Sequence, residues 1–107
     1  MRGGQLAYNE ASGCGGGIYS ANKLEATGGI IRYNKSYISG GGIYSEDAHS
    51  GARMLLSGLT ILKNTARVGG GGIYVDGISN GSITDSIIDD NATEGYGGGV
   101  VCYSREG

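Results

Sequence analysis

The chain has 107 residues, among them 24 glycines and eight tyrosines but no proline, tryptophan or phenylalanine, and it carries a formal net charge of −2. Without proline or a strict Gly-X-Y period it is not collagen, and Ile, Leu and Val are too frequent for a disordered linker. Interspersed acids and bases leave no electrostatic footprint for nucleic acid, and no run approaches the roughly 18 apolar residues of a membrane span.

From the N-terminus, "MRGGQLAYNE" has one arginine and no apolar segment, so the segment as written carries no signal peptide. Next comes "GGGIYS" (Gly15 to Ser20), which recurs as Gly40 to Ser45, as "GGGIYV" (Gly70 to Val75) and as "GGGVVC" (Gly97 to Cys102). With Ile18, Ile43, Ile73 and Val100 as anchors, an asparagine stands nine residues earlier each time: Asn9, Asn34, Asn64 and Asn91. Three residues before each asparagine is an aliphatic (Leu6, Ile31, Ile61, Ile88), and two after it a small residue (Ala11, Ser36, Ala66, Thr93). The block from aliphatic to anchor keeps one length, and all variation falls in the links between blocks. Constant blocks joined by variable links predict a solenoid in which each repeat is one coil. Residues 1–107 therefore read as a single domain of about four coils of 25–30 residues.

The coils should be all-β. Glycine triplets disfavour helix, and "GGIYV" and "SITDSII" are short, β-branched and aromatic. Alternation in "IYS" turns the anchor and the residue after tyrosine inward and points Tyr19, Tyr44 and Tyr74 outward. In stacked coils each residue lies about 4.8 Å from its counterpart. The glycines then fall at sharp turns or close backbone approaches. Asn9, Asn34, Asn64 and Asn91 should form a structural ladder bonded along the stack.

This pattern resembles the right-handed parallel β-helix of the pectin lyase-like superfold, and most specifically the GGA[ILV]/FxxN repeats of polymorphic outer-membrane autotransporter proteins. Here the motifs read "GGGI" at Gly15, Gly40 and Gly70, with "LAYN", "IRYN", "ILKN" and "IDDN" in place of FxxN. The resemblance covers residues 4 to 103, departing in its lack of Phe and in Gly where Ala is usual. It implies a secreted or cell-surface, adhesive or scaffolding passenger that is part of a longer chain.

Several residues invite a functional reading. Tyr19, Tyr44 and Tyr74 form an outward column suited to sugar rings or a partner protein, or they simply pack on one another. Asp85, Asp89, Asp90, Asp76 and Glu94 could serve glycoside hydrolysis, which needs two carboxylates. In the aligned columns, however, Asp89 stacks on Leu62 and Arg32, and Asp90 on Lys63 and Tyr33, so no acidic ladder crosses coils; a Lys63–Asp90 surface pair is the expected outcome. His49 lies in the longest link beside Glu46, Asp47 and Arg53, with no second His or Cys at ligand spacing. The calcium-binding nonapeptide would need Asp at every repeat, and only Asp76 fits; no metal or cofactor is expected. The threonines share no column, which excludes an ice-binding ladder. Of the sequons at Asn34, Asn80 and Asn91, only Asn80 stands outside the ladder. Cys14 and Cys102 lie three coils apart and are expected as free thiols, Cys14 in a turn and Cys102 facing inward.

Neither end reads as a polar cap, so the chain is expected to be a segment of a longer solenoid or to associate end to end with itself. The functional expectation is a non-catalytic structural and binding solenoid of an adhesin-like surface protein with a carbohydrate or protein partner. The alternative is a piece of a polysaccharide lyase or glycoside hydrolase whose active site lies outside this segment.

Overall fold

The structure is a computed structural model that describes residues 2–21, 23–46, 53–77 and 81–103. His49, Asp47 and the Asn80 sequon lie outside the described residues. The described chain contains strands and turns only, and every strand pair is parallel. One turn of the solenoid comprises four short strands. Turn one is β1 (Gln5–Ala7), β2 (Glu10–Ala11), β3 (Ile18–Ser20) and β4 (Lys23–Thr27); turn two is β5 (Ile30–Arg32), β6 (Lys35–Ser36), β7 (Ile43–Glu46) and β8 (Arg53–Ser57). Turn three is β9 (Thr60–Leu62), β10 (Thr65–Ala66), β11 (Ile73–Asp76) and β12 (Gly81–Thr84); turn four adds β13 (Ile87–Asp89), β14 (Ala92–Thr93) and β15 (Val100–Tyr103). Equivalent strands stack into four sheets, ordered β1-β5-β9-β13, β14-β10-β6-β2, β15-β11-β7-β3 and β12-β8-β4. The described residues form a parallel β-solenoid of three complete turns and three strands of a fourth.

The register is the one the repeat columns predict. Ile18, Ile43, Ile73 and Val100 are Cα partners in succession, as are Leu6, Ile31, Ile61 and Ile88. Both columns, apart from the exposed Val100 of the last turn, join Ala26, Met54, Leu56, Leu59 and Val75 in one core. Ile31, Ile43, Ile61 and Ile73 are all fully buried. Burial of each such side chain contributes about 1.5–3 kcal/mol, and stacking repeats that burial turn by turn.

The links hold more order than the repeat columns alone suggest. Strands β4, β8 and β12 lie within them and pair in register, with Ala26 on Leu56 and Leu56 on Ile83. These residues stand five positions before the next inward aliphatic, so the constant block extends further back than the aliphatic column. The differences in repeat length are confined to the short connections between β3 and β4, β7 and β8, and β11 and β12.

The glycine triplet answers to the stack. Gly40 has φ 68°, in the left-handed region that favours glycine. At Gly41 a Cβ would overlap the carbonyl oxygens of Gly71 and Thr65 in the next turn. The three positions serve different ends, which is why they are repeated together.

Candidate functional site

The asparagine column is bonded along its whole length. Asn34 donates from Nδ2 to Asn64 Oδ1 (2.9 Å) and to the Leu6 carbonyl (3.1 Å). Asn64 donates in the same way to Asn91 Oδ1 (2.9 Å) and the Ile31 carbonyl (3.0 Å). Each Oδ1 also accepts the backbone N–H of the preceding asparagine, as Asn64 does from Asn34 at 3.0 Å and Asn34 from Asn9 at 3.0 Å. Asn34 and Asn64 thus use all four hydrogen-bonding positions of the amide while buried. The sequons at Asn34 and Asn91 carry amides committed to this ladder.

Tyr19, Tyr44 and Tyr74 stack in register, with ring centroids 5.4 and 5.3 Å apart and planes within 13°. Their exposure is unequal. Tyr19 is 52% exposed, whereas Tyr44 is only 8% exposed. Alternation along the strand does turn Tyr44 away from the core, but a ring on either side covers both its faces, so the column is not uniformly open. The Tyr19 hydroxyl donates to Glu46 and the Tyr44 hydroxyl to Asp76 (3.2 Å). The Glu46 hydrogen bond is the main cause that pushes the Tyr19 hydroxyl up to about 12. For Tyr44 burial is the first cause and the charge of Asp76 the second, and its hydroxyl is raised further.

These contacts expose a pairing that the aligned acidic positions did not include. Glu46 and Asp76 are Cα partners in adjacent turns, so one acidic pair does cross coils. The signal was present in the sequence, because both residues stand three positions after an anchor. Asp89 stays paired with Leu62, and Leu62 with Arg32.

A second aromatic column was not singled out by the repeat. Tyr8 and Tyr33, each one residue before a ladder asparagine, stack with centroids 5.0 Å apart and planes at 3°. The cations of Arg32 and Lys63 lie over the Tyr33 ring at 5.7 and 5.8 Å, and Lys35 lies over Tyr37 at 4.9 Å. Tyr37 in turn donates to Glu10 at 3.0 Å. Tyr8, Tyr33, Lys63 and Asp90 all have φ between 50° and 60°, a left-handed conformation that costs a residue with a Cβ roughly 1 kcal/mol or more. The other left-handed columns of the stack use Gly15, Gly40, Gly70 and Gly97, and Gly28, Gly58 and Asp85, the residue types that tolerate it best. Two tyrosines and a lysine in the first column are therefore not there for local backbone stability.

Two adjoining grooves follow this face. One, of about 340 Å³, is lined by Tyr8, Tyr33, Lys35, Lys63 and Thr65, together with Asn9, Glu10 and Asn34. The other, of about 390 Å³, runs over Lys35, Tyr37, Thr65, Arg67 and Glu94. Lys35 and Thr65 belong to both.

Cys14 and Cys102 are free thiols. Cys14 lies in a turn, and burial raises its pKa. Cys102 occupies the inward column of Ser45 and Val75 but is exposed, because the described residues place a turn on only one side of it. Among the described residues, no group of three or more His, Cys, Asp or Glu side chains could hold a metal ion, and no helix is long and apolar enough to cross a membrane.

No curated protein and no solved structure matches the chain significantly. Residues 58–76, from the residue after β8 through β11, match the Chlamydia polymorphic membrane protein (Chlamydia_PMP) repeat. That segment holds Ile61, Asn64, the Gly70–Gly72 triplet and the anchor Ile73, the columns on which the stack is built. Polymorphic membrane proteins are outer-membrane surface proteins, so the match points to a surface-exposed, autotransporter-like β-helix. Together, the repeat match over residues 58–76 and the in-register parallel stack support a β-helix repeat protein that resembles the polymorphic membrane protein repeat.

Proposed function

We propose that this chain is a non-catalytic binding segment of an adhesin-like surface protein, meeting a carbohydrate or protein partner through tyrosine rings on the outside of a rigid solenoid. The observation that carries the reading is the Tyr19–Tyr44–Tyr74 stack, held at a regular pitch and tied by its hydroxyls to Glu46 and Asp76. Aromatic rings fixed in advance lose little conformational freedom when a partner covers them. The two stacked carboxylates accept tyrosyl hydroxyls, which favours a bracing role over acid–base catalysis. The test is attachment of the fluorescent chain to epithelial cells, before and after enzymatic removal of surface glycans. Attachment that falls in Tyr19→Ala, and in the Tyr19→Ala/Tyr74→Ala pair with the circular dichroism spectrum unchanged, supports the reading. Glycan removal separates a carbohydrate from a protein partner. Attachment unchanged in both variants sinks the role of this column.

A further inference from the structure

We infer that the outer face of turns two and three, centred on Arg32, Lys35, Lys63 and Arg67 beside the Tyr8–Tyr33 stack, is a binding site for an anionic saccharide. The inference rests on the reading of the chain as a binding solenoid but places the contact on a different face from Tyr19, Tyr44 and Tyr74.

Charge is the first argument. Residues 28–45 and 58–75 contain these four cations and no aspartate or glutamate, although the whole chain is net acidic. The carboxylates of this face stand on the flanking turns, as Glu10 on turn one and Asp89, Asp90 and Glu94 on turn four. Glu10 is engaged by the Tyr37 hydroxyl. The result is a positive band two turns wide with acidic borders. Such a band suits a ligand with a few spaced carboxylates or sulfates, and its borders repel a long polyphosphate.

Shape and chemistry are the second. The two grooves share Lys35 and Thr65, so they form one track across the stack. Arg32 and Lys63 lie over Tyr33, and Lys35 over Tyr37; these contacts hold long side chains along the face. Tyr8 is 74% exposed and Tyr33 38%, so open aromatic surface stands next to the cations, as a pyranose with an apolar C–H face and an acidic substituent requires. The left-handed backbone under Tyr8, Tyr33 and Lys63 is the third argument, since nothing in local stability favours those residues there.

An acidic peptide is the less favoured occupant. Peptides gain affinity on β-proteins by adding a strand to an open edge, but β6 and β10 are each paired on both sides. The face offers side chains at a pitch of about 4.8 Å and no backbone ladder.

The experiment is titration of the folded chain with a heparin oligosaccharide and with oligogalacturonate, followed by calorimetry at low and at elevated salt. Neutral dextran and poly-glutamate serve as comparison probes. Expected is salt-sensitive binding of at least one anionic saccharide, with neither comparison probe bound. Heparin alone would identify sulfate as the recognised group, and oligogalacturonate the carboxylate. Lys63→Gln and Arg67→Gln, both exposed, should each weaken binding by about tenfold, and Tyr33→Asn should weaken it while keeping a residue that tolerates the left-handed backbone. Tyr19→Ala should leave this titration unchanged. No binding of either saccharide, equal binding of poly-glutamate, or indifference to the three substitutions overturns the inference. Loss of cell attachment in Tyr19→Ala with no saccharide bound would leave the proposed function standing and remove only this site.

Discussion

Replacing Asn64 by alanine tests the ladder where it is most completely bonded. The substitution removes two hydrogen bonds accepted by Oδ1, from the Asn34 backbone N–H (3.0 Å) and from Asn34 Nδ2 (2.9 Å). It also removes two donated by Nδ2, to Asn91 Oδ1 (2.9 Å) and to the Ile31 carbonyl (3.0 Å). Each such bond contributes about 1 kcal/mol net, and a buried partner left unsatisfied costs at least as much. Asn64 is 0% exposed and Asn34 1%, so water cannot readily replace the lost amide. The expected destabilisation is about 4 kcal/mol, a large share of the roughly 5–15 kcal/mol that holds a domain folded.

The assay is urea denaturation followed by far-ultraviolet circular dichroism, with Asn9→Ala as the comparison. Asn9 is exposed and its side chain donates one hydrogen bond, to Asn34 Oδ1 (3.0 Å), so its loss should cost about 1 kcal/mol or less. Asn64→Asp adds a directional check. The carboxylate still accepts from Asn34, but it presents an acceptor to Asn91 Oδ1 and the Ile31 carbonyl and buries a charge. Burial raises that carboxyl above its unfolded value, so protonation favours the fold and the variant should recover stability as pH falls. If Asn64→Ala costs no more than Asn9→Ala, the ladder does not carry the stack and the reasoning fails.

Gly41→Ala should destabilise by about 3 kcal/mol or more, because its Cβ would meet rigid backbone of the next turn; Gly13→Ala, with nothing within 4 Å of its Cβ, should be neutral or slightly stabilising by the same denaturation assay. Ser45→Ala should stabilise by about 1 kcal/mol, since the Ser45 hydroxyl is fully buried without a hydrogen-bond partner; a loss of stability would mean that the hydroxyl is satisfied. Tyr19 is raised from 10.0 to about 12 by its bond to Glu46, and Tyr44 is raised by burial and Asp76. Their contribution is therefore intact below pH 10 and drains as pH rises towards 12, so a Tyr19→Phe/Tyr44→Phe variant should show a shallower alkaline loss of stability, and an identical pH profile would refute the linkage.

Much of the scaffold is legible in the sequence because a stacked coil forces equivalent residues into contact. Asn34 must satisfy Asn64, and Ile43 must pack on Ile73, so identity recurs at fixed offsets. The strands β4, β8 and β12 were harder to read, for a physical reason. Lys23 and Arg53 face solvent, and Leu24 pairs with Met54 and Met54 with Gly81. These columns fill volume collectively, without requiring one side chain at each turn. The burial of Tyr44 was not legible either, because it depends on rings in the turns above and below. The column of Asp90, Lys63 and Tyr33 is legible in the sequence, but its aromatic end at Tyr8 and Tyr33 is not, because Lys63 and Asp90 complete it with different residue types, although all four share one left-handed backbone.

Glycine and asparagine act in this stack as one device. A Cβ on Gly42 would stand 2.7 Å from the Gly72 carbonyl oxygen and 3.1 Å from Asn64 Nδ2, and Gly17 stands in the same relation to Asn34 and Gly72 to Asn91. The last glycine of each triplet thus leaves room for the amide of the next turn, and the amide fixes the height at which that turn sits. With register set by backbone and buried amides, the outward positions flanking each asparagine need contribute nothing to the stack. Tyr8, Tyr33, Lys63 and Asp90 can differ at one position without altering it. That separation explains how a monotonous repeat displays a charged, aromatic face on two of its turns and an acidic one on the next.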